Sequence, residues 1–276
     1  MRRRSETSPA QAEINPYQAI ASGAPGRIGW DIRYFNEVDS TQRVAAEFAQ
    51  NGADQGTVVI AERQNAGRGR LGRTWHSPAG VNLYMTVILR PHMPLAEVPR
   101  LSLVAGVAVA EALETIAPSI VALKWPNDIW LRARKAGGII AEAVTDTTQG
   151  LLCVLLGIGL NLNLASNDIP PELGGKATSV LIATGRECDR VQFAATLFNL
   201  FGVRYEAAEA GGFSAVRQIY ERYFALNGRR VTVIDGRATV AGMVSGIDAD
   251  GALILETESG PVRILAGDVT IEGAYD

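Results

Sequence analysis

The sequence predicts a mixed α/β (α+β) fold, in which one sheet is packed by several helices and a small β-rich domain follows. Strand-like runs alternate with helical segments from residue 32 to about residue 226. After residue 228 the pattern changes to short alternating strands joined by glycine-containing turns. Apolar residues make up 47% and charged residues 20% of the 276 residues, proportions typical of a globular protein with one large core.

Two kinds of pattern predict the elements of the first part. Apolar side chains at helical spacing predict helices over residues 41–50, 98–116 and 191–224, the last broken near residue 211. Ser40 is placed to cap the first of these helices. Apolar or β-branched runs predict strands, of which the last three are expected to be buried on both faces. These runs cover residues 56–63, 81–90, 120–125, 139–144 and 151–160.

The two ends of the chain differ from this middle part. Residues 1–26 are rich in Ser, Pro, Ala and Gly, which predicts a flexible tail. Residues 27–226 form the predicted main domain, in which the stretch 162–180 is an ordered loop or lid. Residues 227–276 form a predicted small β-barrel or sandwich, since closely spaced strands alternate with tight turns. Its predicted strands cover residues 231–234, 238–245, 252–256 and 262–266.

Composition excludes several classes of function. The net charge of −3 argues against general binding to nucleic acid, which requires a concentrated basic face. Two cysteines, Cys153 and Cys188, make no disulfide framework, and with only two histidines a zinc site is not expected. No apolar run reaches membrane-spanning length and no signal sequence is visible. We therefore expect a cytoplasmic protein with neither a nucleic-acid nor a membrane partner.

The loop of residues 64–75 is the most informative segment, because three glycines alternate with three arginines directly after a strand-like run. Glycine allows the backbone to approach a ligand closely. Arginine adds a permanent charge and a planar fork of donors that suits phosphate and carboxylate. We expect this loop to stay mobile until an anion neutralises it. The alternative is a basic hairpin loop that is merely solvated.

Lysine is rare in this chain, which makes each lysine a candidate for a specific task. Of the 26 lysines and arginines, only Lys124, Lys135 and Lys176 are lysines. A compact ammonium can touch a single oxygen, and its pKa shifts readily when it is buried, so lysine suits tasks that arginine does not. Lys124 opens the segment Lys-Trp-Pro-Asn-Asp, and Lys135 opens Lys-Ala-Gly-Gly-Ile-Ile-Ala-Glu. Two of the three lysines therefore lie in motif-like segments, of which the first follows directly on a predicted strand.

These segments, in this order and spacing, resemble the biotin–protein ligases, also called biotin–[acetyl-CoA-carboxylase] ligases. The family patterns are GRGRxGRxW at residues 67–75, KWPND at 124–128, KxxGI(L/I)xE at 135–142 and GxGxNxN at 157–163. Asp-Ser-Thr at 39–41 and Thr-Ser-Val at 178–180 also fit. The resemblance covers residues 33–276. Many members have Asn where this chain has Gln42, which puts a contact from that position in doubt.

The resemblance implies a class II synthetase-like catalytic domain followed by an SH3-like C-terminal β-barrel. It implies an ATP-dependent ligase that forms biotinyl-5′-AMP and then transfers biotin to a lysine of a biotin carboxyl carrier protein domain. ATP and biotin are the implied substrates, and Mg²⁺ is expected with ATP, although no ligand for it can be assigned. A monomer or homodimer is expected. Some members carry an N-terminal DNA-binding module, for which residues 1–26 are too short, so the monofunctional type is expected.

The resemblance also assigns residues to roles. The implied catalytic residues, which neutralise the two reacting anions, are Lys135, Arg70 and Arg68. The implied biotin-binding residues are Ser40, Thr41, Gln42, Gln64, Gly67, Arg68, Gly69, Arg70, Lys135, Gly137 and Gly138. The glycines of this set would let backbone groups face the ligand. The implied ATP-binding residues are Arg68, Arg70, Arg73, Trp75, Lys124, Asn127 and Asn161.

Several of these residues also have a purely structural interpretation. Lys135 could be a surface lysine in a turn over residues 132–135. Trp75 could be a core aromatic residue, and Asn161 a structural amide at a strand end. Asp128 is expected to hold the turn or Lys124 rather than to bind a metal.

Three other functions compete with the ligase. A lipoate–protein ligase shares fold and chemistry but lacks the GRGRxGRxW pattern. A non-catalytic biotin-sensing regulator would need neither motif lysine. A general phosphate-binding module would not explain the second domain or the Ser40-Thr41 pair.

Overall fold

The computed structural model describes residues 14–20, 28–146, 150–236 and 238–273. Its largest sheet has seven strands in the order β1-β2-β3-β7-β6-β5-β4, with β1 and β2 parallel and all other neighbours antiparallel. The predicted mixed sheet is confirmed. The strands are β1 (Asp31–Val38), β2 (Thr57–Gln64), β3 (Leu83–Leu89), β4 (Val121–Lys124), β5 (Asp128–Leu131), β6 (Arg134–Asp146) and β7 (Gly150–Leu160).

Helices cover both faces of this sheet. One face packs against α1, and the other packs against the layer that contains α2, α4 and α5. Adjacent residues of β2 alternate between the two cores, with Val58 on the α2 side and Val59 on the α1 side. The helices are α1 (Thr41–Gln50), α2 (Arg100–Glu114), α3 (Val180–Thr184), α4 (Arg190–Gly211) and α5 (Ser214–Tyr223). Within the described ranges, no helix has the length and hydropathy to cross a membrane.

The sequence analysis missed the strands β1 and β5 and misjudged the burial of β6. Four residues are too few for a periodic pattern, so β5 was hidden within the predicted turn region. Arg132 and Ala133 form the two-residue connection to β6, with φ angles of 48° and 61°. Glu142 and Ala143 are exposed, so burial on both faces is wrong for this end of β6.

The C-terminal part is a five-stranded antiparallel sheet in the order β11-β10-β9-β8-β12. Four of its strands were predicted, and the fifth, β12, was not. Closure of this sheet into an SH3-like barrel stays a prediction. The strands are β8 (Arg230–Asp235), β9 (Ala238–Ile247), β10 (Leu253–Thr257), β11 (Gly260–Ile264) and β12 (Asp268–Ile271).

The two sheets are tied together beneath the site described below. The indole Nε1 of the buried Trp125 donates a hydrogen bond of 2.9 Å to the carbonyl oxygen of Gly251. A Cβ atom on Gly251 would lie 2.5 Å from the side chain of Leu103 in α2. Glycine at position 251 therefore allows the β9–β10 turn to approach the helical layer closely.

The expected tail over residues 1–26 includes a short segment, residues 14–20, that packs on the main domain. Tyr17 is 1% exposed, and its ring centroid lies 5.7 Å from that of Tyr34 in β1. The side chain of Asn15 donates a hydrogen bond to the carbonyl oxygen of Ile32 at 3.1 Å. Burial raises the pKa of Tyr17 to about 12. A single aromatic residue anchors this segment, and the average composition of residues 1–26 cannot reveal such an anchor. The other residues of 1–26 lie outside the described residues.

We expect Tyr17→Ala to lower the free energy of unfolding by about 3 kcal/mol, because it would empty a fully enclosed aromatic site. Urea unfolding followed by circular dichroism measures this change. Ile14→Ala is the matched control, since Ile14 is 81% exposed and its loss should change little. Equal unfolding midpoints for Tyr17→Ala and the unaltered protein would show that the segment does not stabilise the fold.

Candidate functional site

Two adjoining cavities lie between the 64–75 loop and the sheet. The first is bounded by the start of α1 and by strands β6 and β7. The second, of about 300 Å³, extends from the loop to the segment 161–177 and to β12. The residues that line both cavities, and so mark their junction, are Gly69, Arg70, Trp75, Asn127 and Lys135. The structure therefore brings the arginine loop, the KWPND segment and Lys135 to one place.

Two glycines of β7 shape the floor of the first cavity. A Cβ atom at Gly157 would lie 3.2 Å from the side chain of Gln42, and one at Gly159 would lie 2.8 Å from Nε1 of Trp75. Both distances are shorter than ordinary contacts, so Gln42 and Trp75 occupy space that any larger residue would fill. The sequence showed these glycines in the GxGxNxN motif but assigned them no role. Their spacing of two residues, which places both on one face of a strand, was the available signal.

Polar atoms without partners are concentrated in this first cavity. Within the described part of the chain, buried Oγ of Ser40, both amide atoms of Gln42 and Nε1 of Trp75 have no hydrogen-bond partner. Ser40 is 3% exposed and Gln42 is 7% exposed. A buried polar group without a partner costs about 1–3 kcal/mol, so these groups are suited to a polar ligand. The expected capping bond from the Ser40 side chain is therefore wrong, although α1 begins where predicted.

Thr41 and Gln64 lie beside these groups but are already hydrogen-bonded. The backbone N–H and the hydroxyl of Thr41 both donate to Oε1 of Gln64, at 2.9 and 3.2 Å. The amide of Gln64 donates in turn to the Ser77 hydroxyl at 3.1 Å. Thr41 and Gln64 thus line the cavity, as predicted, yet their hydrogen bonds join α1 to β2 and to the end of the arginine loop.

Lys135 lies at the junction of the two cavities and is held by Asp128. Its Nζ is 2.6 Å from Oδ1 of Asp128 and 5.6 Å from the ring centroid of Trp75. Lys135 belongs to β6, so its placement in a surface turn is wrong. A short charge-assisted hydrogen bond of this kind fixes the direction of the ammonium group.

Lys124 is on the other side of Asp128, away from both cavities. Its Nζ lies 4.0 Å from Oδ2 of Asp128 and 5.6 Å from the ring centroid of Trp130. Burial lowers the pKa of Lys124, an effect that the charge of Asp128 partly offsets. Lys124 lines neither cavity, so its predicted contact with nucleotide is not supported. The alternative, that Asp128 holds Lys124, agrees with the structure, and Asp128 holds Lys135 as well.

The three arginines of the loop point to different surroundings. Arg68 is exposed and lines the first cavity. Arg70 donates to Oδ1 of Asn127 at 2.8 Å and to the carbonyl oxygen of Gly267 at 3.4 Å. Burial lowers the pKa of Arg70, which nearby carboxylates partly counteract. Arg73 lines the second cavity and forms an ion pair with Asp268 of β12.

Three of the four glycines predicted to face a ligand, in the loop and in β6, make close backbone contacts in the structure. The N–H of Gly69 donates to the carbonyl oxygen of Arg73 at 2.6 Å and so closes the loop instead of facing a ligand. A Cβ atom at Gly67 would lie 2.6 Å from the carbonyl oxygen of Trp75, and one at Gly137 would lie 2.5 Å from Leu160. Both glycines permit close backbone packing. Gly138 lines the first cavity, as predicted.

The second cavity has a cationic side and an apolar side. Arg70, Arg73, Lys135 and Lys176 contribute the positive charge, and the apolar side consists of Leu164, Ile169, Pro170 and Leu173. The apolar side belongs to the predicted ordered loop, in which the sequence analysis assigned no role to the apolar residues. Lys176, the third lysine, was the unused signal for this segment.

Asn161 lines this cavity, but its side chain is engaged with the protein. Its amide donates to the carbonyl oxygen of Thr178 at 3.0 Å, and its oxygen accepts from Asn82 at 3.3 Å. This geometry supports the structural interpretation of Asn161. Across the described ranges, no group of three or more His, Cys, Asp and Glu side chains could hold a metal ion.

Sequence comparison relates the chain to enzymes of known activity. The model of the Biotin/lipoate A/B protein ligase family matches residues 34–161, and that of the Biotin protein ligase C terminal domain matches residues 227–271. A biotin–[acetyl-CoA-carboxylase] ligase of Paracoccus denitrificans is 35% identical, covering 85% of this chain and 98% of that protein. A bifunctional ligase/repressor of Bacillus spizizenii is 37% identical, covering 88% of this chain and 75% of that protein.

Structure comparison gives the same relationship. The biotin protein ligase of Aquifex aeolicus in complex with biotin and ATP superimposes with a TM-score of 0.76 at 30% sequence identity. The match covers 88% of this chain and 98% of that chain, and so includes both sheets. The chain belongs to the biotin protein ligase family.

Proposed function

We propose that the protein joins biotin to ATP as biotinyl-5′-adenylate and transfers the biotinyl group to a lysine of a biotin carboxyl carrier protein domain. The observation that carries the proposal is the position of Lys135 and Arg70, where a cavity with unused polar groups meets a cationic and apolar cavity. The relatives are named as biotin ligases, and the Aquifex structure holds biotin and ATP. Family, geometry and chemistry thus agree.

The first half-reaction brings two anions together. A carboxylate oxygen of biotin attacks the α-phosphorus of ATP, and pyrophosphate leaves with the electron pair of the broken P–O bond. Mutual repulsion opposes this approach, so cations fixed at the point of contact stabilise the transition state by about 3–4 kcal/mol each. Lys135 and Arg70 are placed for this role, because Asp128 and Asn127 hold them at the junction before substrate arrives.

The biotin ring system fits the first cavity in this proposal. Its ureido group offers two N–H donors and one carbonyl acceptor, each of which requires a partner when buried. Ser40 and Gln42 supply the unused hydroxyl and amide groups. Gly138 lines the sheet side of this cavity and leaves room there for the ring. The valeryl carboxylate would then point to the junction and Lys135.

ATP fits the second cavity in this proposal. The phosphates would lie against Arg70, Arg73 and Lys135, and the adenine against the apolar side near Leu173. ATP is normally handled as its Mg²⁺ complex. The described residues form no acidic cage, and Asp128 is engaged by lysines, so we assign Mg²⁺ to the phosphates alone.

The second half-reaction needs a neutral amine and a neutralised leaving group. The acceptor lysine, deprotonated, attacks the biotinyl carbonyl carbon, and AMP leaves while the amine proton passes to solvent. The guanidinium group of Arg70, which lines both cavities, can stabilise the charge that remains on AMP. We propose residues 27–226 as the catalytic domain and 227–276 as the C-terminal domain. We propose a cytoplasmic location, in which the thiols Cys153 and Cys188 remain reduced.

Incubation with ATP and a biotin carboxyl carrier domain tests the function directly. We expect mass spectrometry to show biotin attached to one carrier lysine, and little attachment when lipoate replaces biotin. The dithiolane ring of lipoate has no groups to satisfy the buried hydroxyl and amide. Equal incorporation of lipoate, or none of biotin, would contradict the proposed substrate.

Lys135→Ala should lower biotin-dependent pyrophosphate release by about 100-fold or more, because the ammonium acts on the charge of the transition state. The neighbouring Arg134 is exposed and lines neither cavity, which makes Arg134→Ala the matched control. Circular dichroism would confirm that both variants are folded. A Lys135→Ala protein that releases pyrophosphate as fast as the control would exclude the assigned role.

Gln42→Leu should raise the KM for biotin by about 10- to 100-fold without loss of stability, since it removes polar atoms that have no protein partner. Gln64→Leu is the contrasting variant, because it breaks the bonds to Thr41 and Ser77. That variant should lower the free energy of unfolding by about 1–3 kcal/mol. An unchanged KM for biotin in Gln42→Leu would show that Gln42 does not read the ureido group.

A further inference from the structure

The C-terminal sheet contributes a carboxylate to the rim of the cationic cavity. Asp268, the first residue of β12, lines the second cavity and forms an ion pair with Arg73. The preceding carbonyl, of Gly267, accepts a hydrogen bond from Arg70. Two arginines of the loop are therefore bound to adjacent residues, one just before β12 and one at its start, almost 200 positions later in the sequence.

The backbone at Gly267 is what brings this carboxylate to the loop. Gly267 has a φ of 148°, and a Cβ atom there would lie 2.5 Å from the side chain of Val233 and 3.0 Å from the carbonyl oxygen of Ile234. Only glycine fits so close to β8 in that conformation. Asp268 then pairs in register with Ile234, and its position is set by the sheet.

The ion pair between Arg73 and Asp268 is exposed enough that an incoming anion can displace the carboxylate from Arg73. Side-chain exposures are 62% for Arg73 and 35% for Asp268, so the pair contributes at most about 1 kcal/mol and is screened by salt. Partial burial disfavours the Asp268 carboxylate, but the hydrogen bond from Arg73 and the nearby cations hold its pKa below the usual range. Asp268 is thus ionised at neutral pH.

We propose that Asp268 occupies the position of a nucleotide phosphate oxygen on Arg73 before ATP binds, and thereby sets the affinity of the site for ATP. This inference rests on the proposed function. A phosphate oxygen and a carboxylate oxygen make the same charge-assisted bond to a guanidinium group. A phosphate of ATP can bind Arg73 only after the Arg73–Asp268 pair breaks. The phosphate then lies close to the Asp268 carboxylate, which is also negatively charged. Asp268 is a positioning residue: it holds the loop in the absence of nucleotide and opposes nucleotide entry.

The KM for ATP in biotin-dependent pyrophosphate release tests the competition. Asp268→Asn should lower this KM by about two- to fivefold at low salt, since breaking the exposed pair no longer opposes binding. The difference should shrink at high salt, and kcat should change little. Glu272→Gln is the matched control, because Glu272 pairs with Arg230 on the same sheet, away from the loop. A KM for ATP that is unchanged or raised in Asp268→Asn would overturn the proposal.

Removal of the arginine gives a second, independent comparison. Arg73→Ala should raise the KM for ATP, because it removes a phosphate contact and exposes the phosphates to an unpaired Asp268. Adding Asp268→Asn to Arg73→Ala should recover part of this loss. A double variant no better than Arg73→Ala would show that the carboxylate does not act on the nucleotide.

Trypsin cleavage after the loop arginines, with no ligand present, tests whether Asp268 holds the loop, and this test does not depend on the proposed enzymatic activity. Asp268→Asn should be cut faster than either the unaltered protein or Glu272→Gln, because its loop has lost an anchor. Equal cleavage rates would show that Asp268 does not hold the loop, even if the enzyme is active. Absence of pyrophosphate release from the unaltered protein would overturn the proposed function, while the cleavage comparison would still decide whether Asp268 holds the loop.

Discussion

The ion pair between Lys135 and Asp128 is the interaction on which the arrangement of the site depends. It fixes an ammonium group at the junction of two cavities, against the ring of Trp75. Antiparallel pairing of β4 with β5 places Asp128 opposite Lys124, so the same carboxylate has a lysine on each side. The half-buried Lys124 helps to balance the carboxylate, and Lys135 lies at the junction of the two cavities. A buried charge that lacked this balance would be costly.

The hydrogen bonds of the site divide its side chains into two groups. Thr41, Gln64 and Asn161 are bonded to the protein and keep the cavity walls in place. Ser40, Gln42 and Trp75 retain unused polar atoms in the first cavity. The first group holds the walls in place, and the second leaves polar atoms available for a ligand. Such a division is expected where binding groups must be held in position before the ligand arrives.

Much of this arrangement could be predicted from sequence because the motifs are local. The alternation of glycine and arginine in the loop, the scarcity of lysine and the strand–turn–strand pattern all indicated Lys135, Arg70 and Trp75. The helices and most strands followed from periodicity. The direction of a side chain at a strand end is harder to predict. The KWPND segment does not reveal that the Lys124 side chain points away from both cavities, towards Trp130.

Contacts between distant segments could not be predicted. Tyr17 lies in a polar segment whose composition suggests disorder, and only the fold shows that Tyr34 receives it. Asp268 follows a region of short strands and resembles any surface acid until β12 pairs with β8. The unpaired amide of Gln42 is likewise a property of its surroundings and not of its neighbours in sequence.

The bare backbone of Gly157 and Gly159 has a consequence for how this protein can vary. Because neither glycine has a side chain, the Gln42 amide from α1 and the Trp75 indole from the loop pack directly against the backbone of β7. Even alanine at position 159 would push the indole off the strand, and the ammonium of Lys135 would lose its aromatic neighbour. Positions 157 and 159 therefore admit no residue larger than glycine unless Gln42 or Trp75 moves.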